Sequence, residues 1–117
     1  MGERRHKLRL TKRLEVTAKE VTLYTTNLSG TGIQVECPRT RLSQLGDGLE
    51  SKLLIVVVAL PDGGSLKARC RVVYLADWAD DLLIGLEFEK FAEGGEQAWQ
   101  DFVSRASHRI SEAATAA

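Results

Sequence analysis

Residues Glu20–Cys37, EVTLYTTNLSGTGIQVEC, hold two runs of alternating apolar and polar side chains around a short polar connection. The runs Glu20–Thr26 and Ile33–Cys37 have the period of two that puts apolar side chains on one face of a strand. Between them, Asn27–Gly32 is rich in the residue types that tight turns favour. The stretch therefore predicts an antiparallel β-hairpin with Asn27–Gly32 as its connection.

Strand-like runs also occur on both sides of this hairpin. They are Leu10–Ala18 before it, and Lys52–Leu60, Ser65–Ala76 and Leu83–Phe88 after it. Lys52–Leu60 is apolar without interruption from Leu53 onward, which predicts a strand covered on both faces. In Ser65–Ala76 the apolar positions alternate from Leu66 to Tyr74, so Tyr74 is predicted to face inward. The opposite face of that strand carries a basic stripe of Lys67, Arg69 and Arg71. The intervening stretches Arg39–Ser51 and Asp77–Asp81 are predicted to be a loop and a turn.

The end of the chain changes period. Glu96–Ala113 places apolar residues along one helical stripe, namely Trp99, Phe102, Val103, Ala106 and Ile110. Six antiparallel strands and then a helix predict an all-β domain, a small closed six-stranded barrel with a C-terminal α-helix, since closure removes exposed strand edges. We expect a single domain over 1–117, with a flexible basic arm at 1–9, the barrel at 10–91 and the helix at 95–113.

Charge and cysteine content limit the function classes. Sixteen basic and sixteen acidic residues cancel, so no overall field favours nucleic acid or a membrane as partner. The exception is Met1–Arg13, which holds six lysines and arginines and His6 against Glu3 alone. Cys37 and Cys70 lie in strand-like runs, which predicts buried thiols rather than a disulfide or a metal site. We therefore expect a cytoplasmic protein without a bound metal.

The basic arm carries guanidinium groups at a regular spacing. Arg5 and Arg9 stand four positions apart, and Arg4 adds a third. A guanidinium group is planar and always charged, and it can bind a phosphate through two parallel hydrogen bonds. It can also stack on a purine while it pairs with the Hoogsteen edge. The arm is thus suited to an anionic nucleotide.

The connection Asn27–Gly32 has two interpretations. As local chemistry it is an ordinary hairpin turn, in which Asn and Gly accept positive φ. Alternatively it is a binding loop: Asn27 and Ser29 offer polar groups to a ligand, and Gly32 removes a side chain that would block its approach. Taken alone, the residues favour the turn.

Together the two patterns resemble the PilZ family, the bacterial receptors for cyclic dimeric GMP (cyclic di-GMP). The family's pattern is Arg-x-x-x-Arg near the start of the domain, then Asp or Asn-x-Ser-x-x-Gly. Here these read Arg5–Arg9 and Asn27–Gly32, with further similarity at Leu60–Gly63 and Ile84–Phe88. The resemblance covers nearly the whole chain and implies a PilZ-like split barrel of six strands with a C-terminal helix.

The resemblance also implies a ligand site on the outer surface of the barrel. Arg5 and Arg9 would bind the phosphates and the guanine Hoogsteen edges. The other guanine would meet the connection, through Asn27, Ser29 and Gly32, with Gly30 a further candidate. Family members with an Arg directly before the pair tend to hold two stacked ligand molecules, so Arg4 predicts a stacked dimer of cyclic di-GMP. Asn27 replaces the commoner Asp, which keeps an acceptor but removes its charge.

Trp78 is a separate candidate, because a large aromatic in the polar turn Asp77–Asp81 has no obvious core face. By resemblance, an aromatic near this turn can flank the ligand, and stacking on a base is worth roughly 1–3 kcal/mol. The alternative is a Trp that folds back as a lid over the barrel mouth or onto the helix. The sequence does not decide between them.

Three hypotheses on function follow. The leading one is a non-enzymatic cyclic di-GMP sensor, with no cofactor besides this ligand, whose bound arm changes the surface shown to a protein partner. The second is an adaptor of the same fold that does not bind nucleotide. The third, a small barrel that binds nucleic acid through the basic arm, is disfavoured by the zero net charge and the missing aromatic platform.

Overall fold

The computed structural model of the protein describes residues 13–46, 49 and 52–116, the last nine of them as backbone only. Within these residues, antiparallel strands close into a six-stranded barrel in the order β1-β2-β3-β6-β5-β4, and a helix, α1, follows. The elements are β1 (Glu15–Ala18), β2 (Val21–Leu28), β3 (Gly32–Pro38), β4 (Leu53–Ala59), β5 (Ser65–Trp78), β6 (Asp81–Phe91) and α1 (Gly95–Ala116). The predicted barrel with a C-terminal helix is confirmed.

The barrel is closed unevenly. β3 and β6 pair from Gly32↔Glu87 to Pro38↔Asp81, whereas β1 and β4 share only Val16↔Val58 and Thr17↔Val57. The seam between β1 and β4 is therefore the narrow join of the barrel. Around the closed barrel, this join lies opposite the pairing of β3 with β6.

One face of every strand fills the interior. The fully enclosed side chains include Val16, Leu23, Val35, Val56, Cys70 and Ile84. Cys37 and Cys70 are buried free thiols, as predicted. Helix α1 adds Trp99, Phe102 and Ala106 to this core. The Trp99 ring meets Phe88 of β6 at 5.1 Å between centroids and Phe102 at 5.6 Å, so α1 is fixed to the barrel by aromatic packing.

The prediction that the fourth strand is covered on both faces is wrong. β4 alternates, with Leu54, Val56 and Val58 buried and the intervening Leu53, Ile55 and Val57 exposed by 39% to 50%. A closed barrel of this size has a single interior, and α1 packs on β5 and β6 instead. An uninterrupted apolar run therefore does not imply two covered faces here.

Several element boundaries differ from the sequence prediction. Part of the predicted loop Arg39–Ser51 is a 3₁₀ segment, Arg39–Leu45. The predicted turn at Asp77–Asp81 shrinks to Ala79 and Asp80, because β5 and β6 extend further as a paired ribbon. Among the described residues, no helix is both long and apolar enough to cross a membrane.

Candidate functional site

A β-bulge at Thr26 turns Asn27 to the outer face of the barrel. Thr25 faces inward and is completely buried, so strict alternation would point Asn27 inward as well. The ladder to β3 instead shifts register between Thr25 and Asn27, and Leu28 becomes the next inward residue. Asn27 is thus part of β2 rather than of the connection, and the bulge places its half-buried side chain on the outer side of the strand.

Another bulge, at Val73 of β5, does the same for Tyr74. The ladder to β6 shifts between Val72↔Leu86 and Tyr74↔Gly85, which leaves Val73 without a partner on β6. Tyr74 is 40% exposed and points outward. The prediction that Tyr74 faces inward is therefore wrong, because the extra residue interrupts the alternation that it assumed.

The two bulges place Asn27 and Tyr74 in a single row across four strands. The row runs Asn27↔Gln34↔Gly85↔Tyr74, from β2 through β3 and β6 to β5. A Cβ on Gly85 would lie 2.1 Å from the Tyr74 ring, so the ring packs directly on the strand. Tyr74 is a candidate that sequence reasoning missed, since its position depends on the bulge.

Hydrogen bonds fix the middle of this row. Gln34 Nε2 donates to Tyr74 Oη at 3.1 Å. The bulge residue Thr26 lies against Gln34, and the single proton of its hydroxyl is shared between Gln34 Oε1 at 3.4 Å and the Gln34 carbonyl at 3.3 Å. The row is therefore preorganised from the bulge to the aromatic ring.

An open groove with a cavity of about 160 Å³ lies over the row. It is lined by Asn27, Leu28, Ser29, Thr31, Gly32, Ile33, Gln34, Val73, Tyr74, Gly85, Leu86 and Glu87. Among these lining residues there is no basic side chain, and Glu87 carries the one carboxylate. A ligand bearing negative charge would therefore need cations from another part of the chain.

Asn27 has an oxygen with no partner. Its Oδ1 is buried, yet no residue of the described part of the chain donates a hydrogen bond to it. A buried polar atom left in this state costs roughly 1–3 kcal/mol. Asn27 thus lines the groove with an amide oxygen that no described residue uses, and an N–H donor in the groove would reach it once the side chain turns outward.

The connection itself is a tight turn at Gly30 and Thr31. The Ser29 N–H donates to the Gly32 carbonyl at 2.9 Å, and no residue of Asn27–Gly32 has the positive φ that the sequence predicted for a turn. Gly32 is required by the barrel instead, because its Cβ would meet the Leu86 carbonyl of β6 at 2.4 Å. Ser29 Oγ makes contacts of 3.4–3.5 Å only, so its hydroxyl is weakly engaged.

Helix α1 holds the backbone of this turn. Trp99 Nε1 donates to the Ser29 carbonyl at 3.0 Å, and Gln100 Nε2 donates to the Gly30 carbonyl at 3.0 Å. The donors lie 70 positions from their acceptors in the sequence. Nothing in the local pattern of either segment could have revealed the contact.

The predicted arginines Arg4, Arg5 and Arg9 lie outside the described residues. The described chain begins at Arg13, and the Leu14 N–H donates to the buried Thr25 Oγ1 of β2 at 2.7 Å. The Arg13 guanidinium lies 4.7 Å from the centre of the Tyr24 ring and 3.3 Å from Glu36. Tyr24 and Glu36 are a cross-strand pair on the same outer face of β2 and β3.

Trp78 stands apart from this row. It ends β5 next to the turn, where Ala79 has a φ of 53°, and it is 58% exposed. The indole is therefore mostly in solvent rather than enclosed as a core side chain. Trp78 does not line the groove, and it lies about 13 Å along β5 from Tyr74.

Comparison with known proteins identifies a similar fold and the family of this chain. No curated protein matches the chain in sequence. Among solved structures, the fold is similar to the Bacillus subtilis inhibitor of motility (MotI/DgrA), with a TM-score of 0.71 and 20% identity. The match covers 88% of this chain but 51% of that protein, so the chain spans about half its length. The model of the PilZ domain matches residues 2–105, and the chain therefore belongs to the PilZ family.

Proposed function

We propose that the protein is a non-enzymatic receptor for cyclic di-GMP, which binds over the row of Asn27, Gln34, Gly85 and Tyr74. The observation that carries the proposal is the buried Asn27 Oδ1, which lacks a donor among the described residues. The N1–H and N2–H groups of a guanine are donors of the kind that this oxygen accepts. A neutral amide binds such donors less strongly than the carboxylate of the commoner Asp would.

The arm is the proposed source of positive charge. The groove has no cation among its described lining residues, whereas a cyclic dinucleotide brings two phosphates. Arg9 precedes Arg13 by four residues, and four residues span at most about 14 Å. Because Arg13 lies on the Tyr24–Glu36 pair beside the groove, Arg9 and Arg5 can reach a ligand there.

Binding would convert the arm into part of the protein surface. The ordered arm, carrying Arg4, Arg5 and Arg9, would cover the ligand and change what a protein partner meets, in the cytoplasm where this nucleotide acts as a second messenger. With Arg4 present, we expect the ligand to bind as a stacked dimer. The ordering cost of the arm would be met by its charge-assisted hydrogen bonds to phosphate.

Calorimetric titration of the full chain with cyclic di-GMP tests the proposal. We expect two ligand molecules per chain, and loss of measurable binding in both Arg5→Ala and Arg9→Ala. Arg41→Ala is the matched control, since Arg41 is an exposed arginine of the 3₁₀ segment that contacts Gln44. Absence of binding to the wild-type chain, or binding that survives both arm changes, would contradict the proposal.

Two further outcomes are distinct. A stoichiometry of one ligand per chain with Arg4 intact would refute the stacked dimer and leave the receptor. Tight, salt-sensitive binding of random oligonucleotides in place of cyclic di-GMP would instead identify a nucleic-acid-binding protein.

A further inference from the structure

We infer that Trp99 and Gln100 are positioning residues, which hold the Ser29–Gly30 backbone for the ligand and tie occupancy of the groove to helix α1. The inference rests on the proposed function, because its consequence is coupling between ligand and helix. Its structural basis is independent of it, since both hydrogen bonds join parts of the chain itself.

The two donors act on consecutive carbonyls. Trp99 Nε1 binds the Ser29 carbonyl and Gln100 Nε2 binds the Gly30 carbonyl, each at 3.0 Å. On the other side of the turn, the Ser29 N–H is held by the Gly32 carbonyl at 2.9 Å. The turn is therefore fixed between its own hairpin and the helix.

Trp99 cannot follow the turn independently of the helix. Its side chain is completely buried and packs on Phe88 and Phe102. If the Ser29 carbonyl moved away, the indole N–H would be left buried without an acceptor, at a cost of roughly 1–3 kcal/mol. A shift of the turn therefore either costs that amount or moves α1 with it.

Gln100 adds a contact at Gly30. A Cβ built on Gly30 would lie 3.5 Å from Gln100 Oε1, so the amide of Gln100 lies against the turn. Ser29, one residue earlier, is also part of the groove lining. The same short segment thus faces the groove on one side and α1 on the other.

This arrangement makes the coupling reciprocal. If α1 holds the turn in the form that binds ligand, bound ligand must stabilise the docking of α1 by the same free energy. We therefore expect cyclic di-GMP to slow backbone hydrogen exchange in α1, although α1 does not line the groove. The helix would then report ligand occupancy to a protein partner.

Gln100→Glu tests this with little change of shape. The substitution removes the N–H donors, and loss of one hydrogen bond should weaken cyclic di-GMP about three- to tenfold. Gln97→Glu is the matched control: it adds the same charge on the same helix, where Gln97 donates to Asp101 rather than to the turn. That control should stay within about twofold of the wild type.

A pH profile separates positioning from a loss of general stability. The introduced carboxyl can donate only when it is protonated. Lowering the pH from 7 to about 4 should therefore restore relative affinity in Gln100→Glu and not in Gln97→Glu.

Trp99→Phe gives a second test, because it removes the indole N–H but keeps an aromatic ring. It should reduce both the affinity and the ligand-dependent protection of α1. Val56→Ala is the control, because Val56 is fully buried on β4, away from the groove and α1, so the change should lower stability and leave affinity unchanged.

The results that overturn the inference are specific. One is that Gln100→Glu and Trp99→Phe bind cyclic di-GMP as tightly as their controls do. The other is that the ligand protects α1 from hydrogen exchange equally in all four variants. If the wild-type chain binds no cyclic di-GMP, the proposed function fails but the positioning role can still be measured. Amide exchange at Ser29–Thr31 without ligand should then be faster in Gln100→Glu than in Gln97→Glu, and equal rates would refute the role.

Discussion

Gly30 and Gly32 stand in the same turn but differ in what a methyl group would meet. At Gly32 a Cβ would lie 2.4 Å from the Leu86 carbonyl, which is backbone of a paired strand and cannot yield. At Gly30 it would lie 3.5 Å from the end of the Gln100 side chain, an ordinary contact. Gly32 therefore serves the pairing of β3 with β6, and its identity alone is no evidence for a ligand.

We accordingly expect Gly32→Ala to destabilise the protein by about 1–3 kcal/mol, because the strands must separate to admit the methyl group. Gly30→Ala, the control in the same turn, should change stability by less than about 1 kcal/mol. Urea unfolding of both variants, followed by circular dichroism, measures the difference. Equal stability losses would show that the close approach of β3 to β6 is not what requires glycine.

Among the elements, two bulged strands shape the candidate site. The motif residues Asn27 and Ser29 were identifiable from the sequence because an amide, a hydroxyl and a glycine stand at the spacing of the family's motif. The partners Tyr74 and Gln34 were not, because Thr26 and Val73 are ordinary strand residues and nothing in their composition announces a bulge. Alternation predicts which residues belong to a strand, but beyond each extra residue it assigns the side chains to the wrong face.

The β5–β6 pair carries a prediction of its own. Gly85→Ala should displace the Tyr74 ring, since the new Cβ would lie 2.1 Å from it, and should destabilise the protein by about 1–3 kcal/mol. In the double variant Gly85→Ala/Tyr74→Ala the tyrosine ring is absent, so the new methyl group no longer clashes with it. The double variant should therefore be more stable than the sum of the two single changes implies, by about 1 kcal/mol or more in a denaturant cycle. Strict additivity would mean that the ring does not pack on Gly85.

For the molecule as a whole, the strands and the C-terminal helix followed from apolar runs and their periodicity, and closure followed from the cost of exposed strand edges. Periodicity could not show that β4 has one exposed face, because β-branched and apolar residues favour strands whether or not both faces are covered. It could not place Trp99 and Gln100 beside the turn either, because that contact arises only when the barrel and the helix pack together.

Because the barrel interior buries two thiols, the stability of the protein should fall at alkaline pH. Burial, and secondarily the charge of Glu89, raises the pKa of Cys70 from 9.0 to about 12, and burial with Asp81 also raises the pKa of Cys37. The folded state thus keeps the Cys70 proton that the unfolded chain loses above pH 9. The contribution is present below pH 9 and is lost as the pH rises towards 12.

Cys70→Ala should consequently flatten the fall in stability between pH 9 and pH 12, relative to the wild type measured in the same way. Using the difference between the two proteins removes the shared titration of tyrosines and lysines. Native protein at pH 8 should also leave Cys70 unreactive towards a thiol reagent, since the thiolate is the reactive form. Rapid labelling without unfolding would contradict the burial of this thiol.

The bulge at Thr26 has a consequence for how this site is inherited and engineered. Thr26 is an extra residue that the bulge absorbs; the same residues in strict alternation, without the bulge, would have Asn27 inside and Leu28 outside. A chain could therefore keep the same Asn, Ser and Gly at the same spacing and yet turn the amide towards its core. Whether these residues can function depends on whether the strand forms the bulge, which the spacing of the motif does not record.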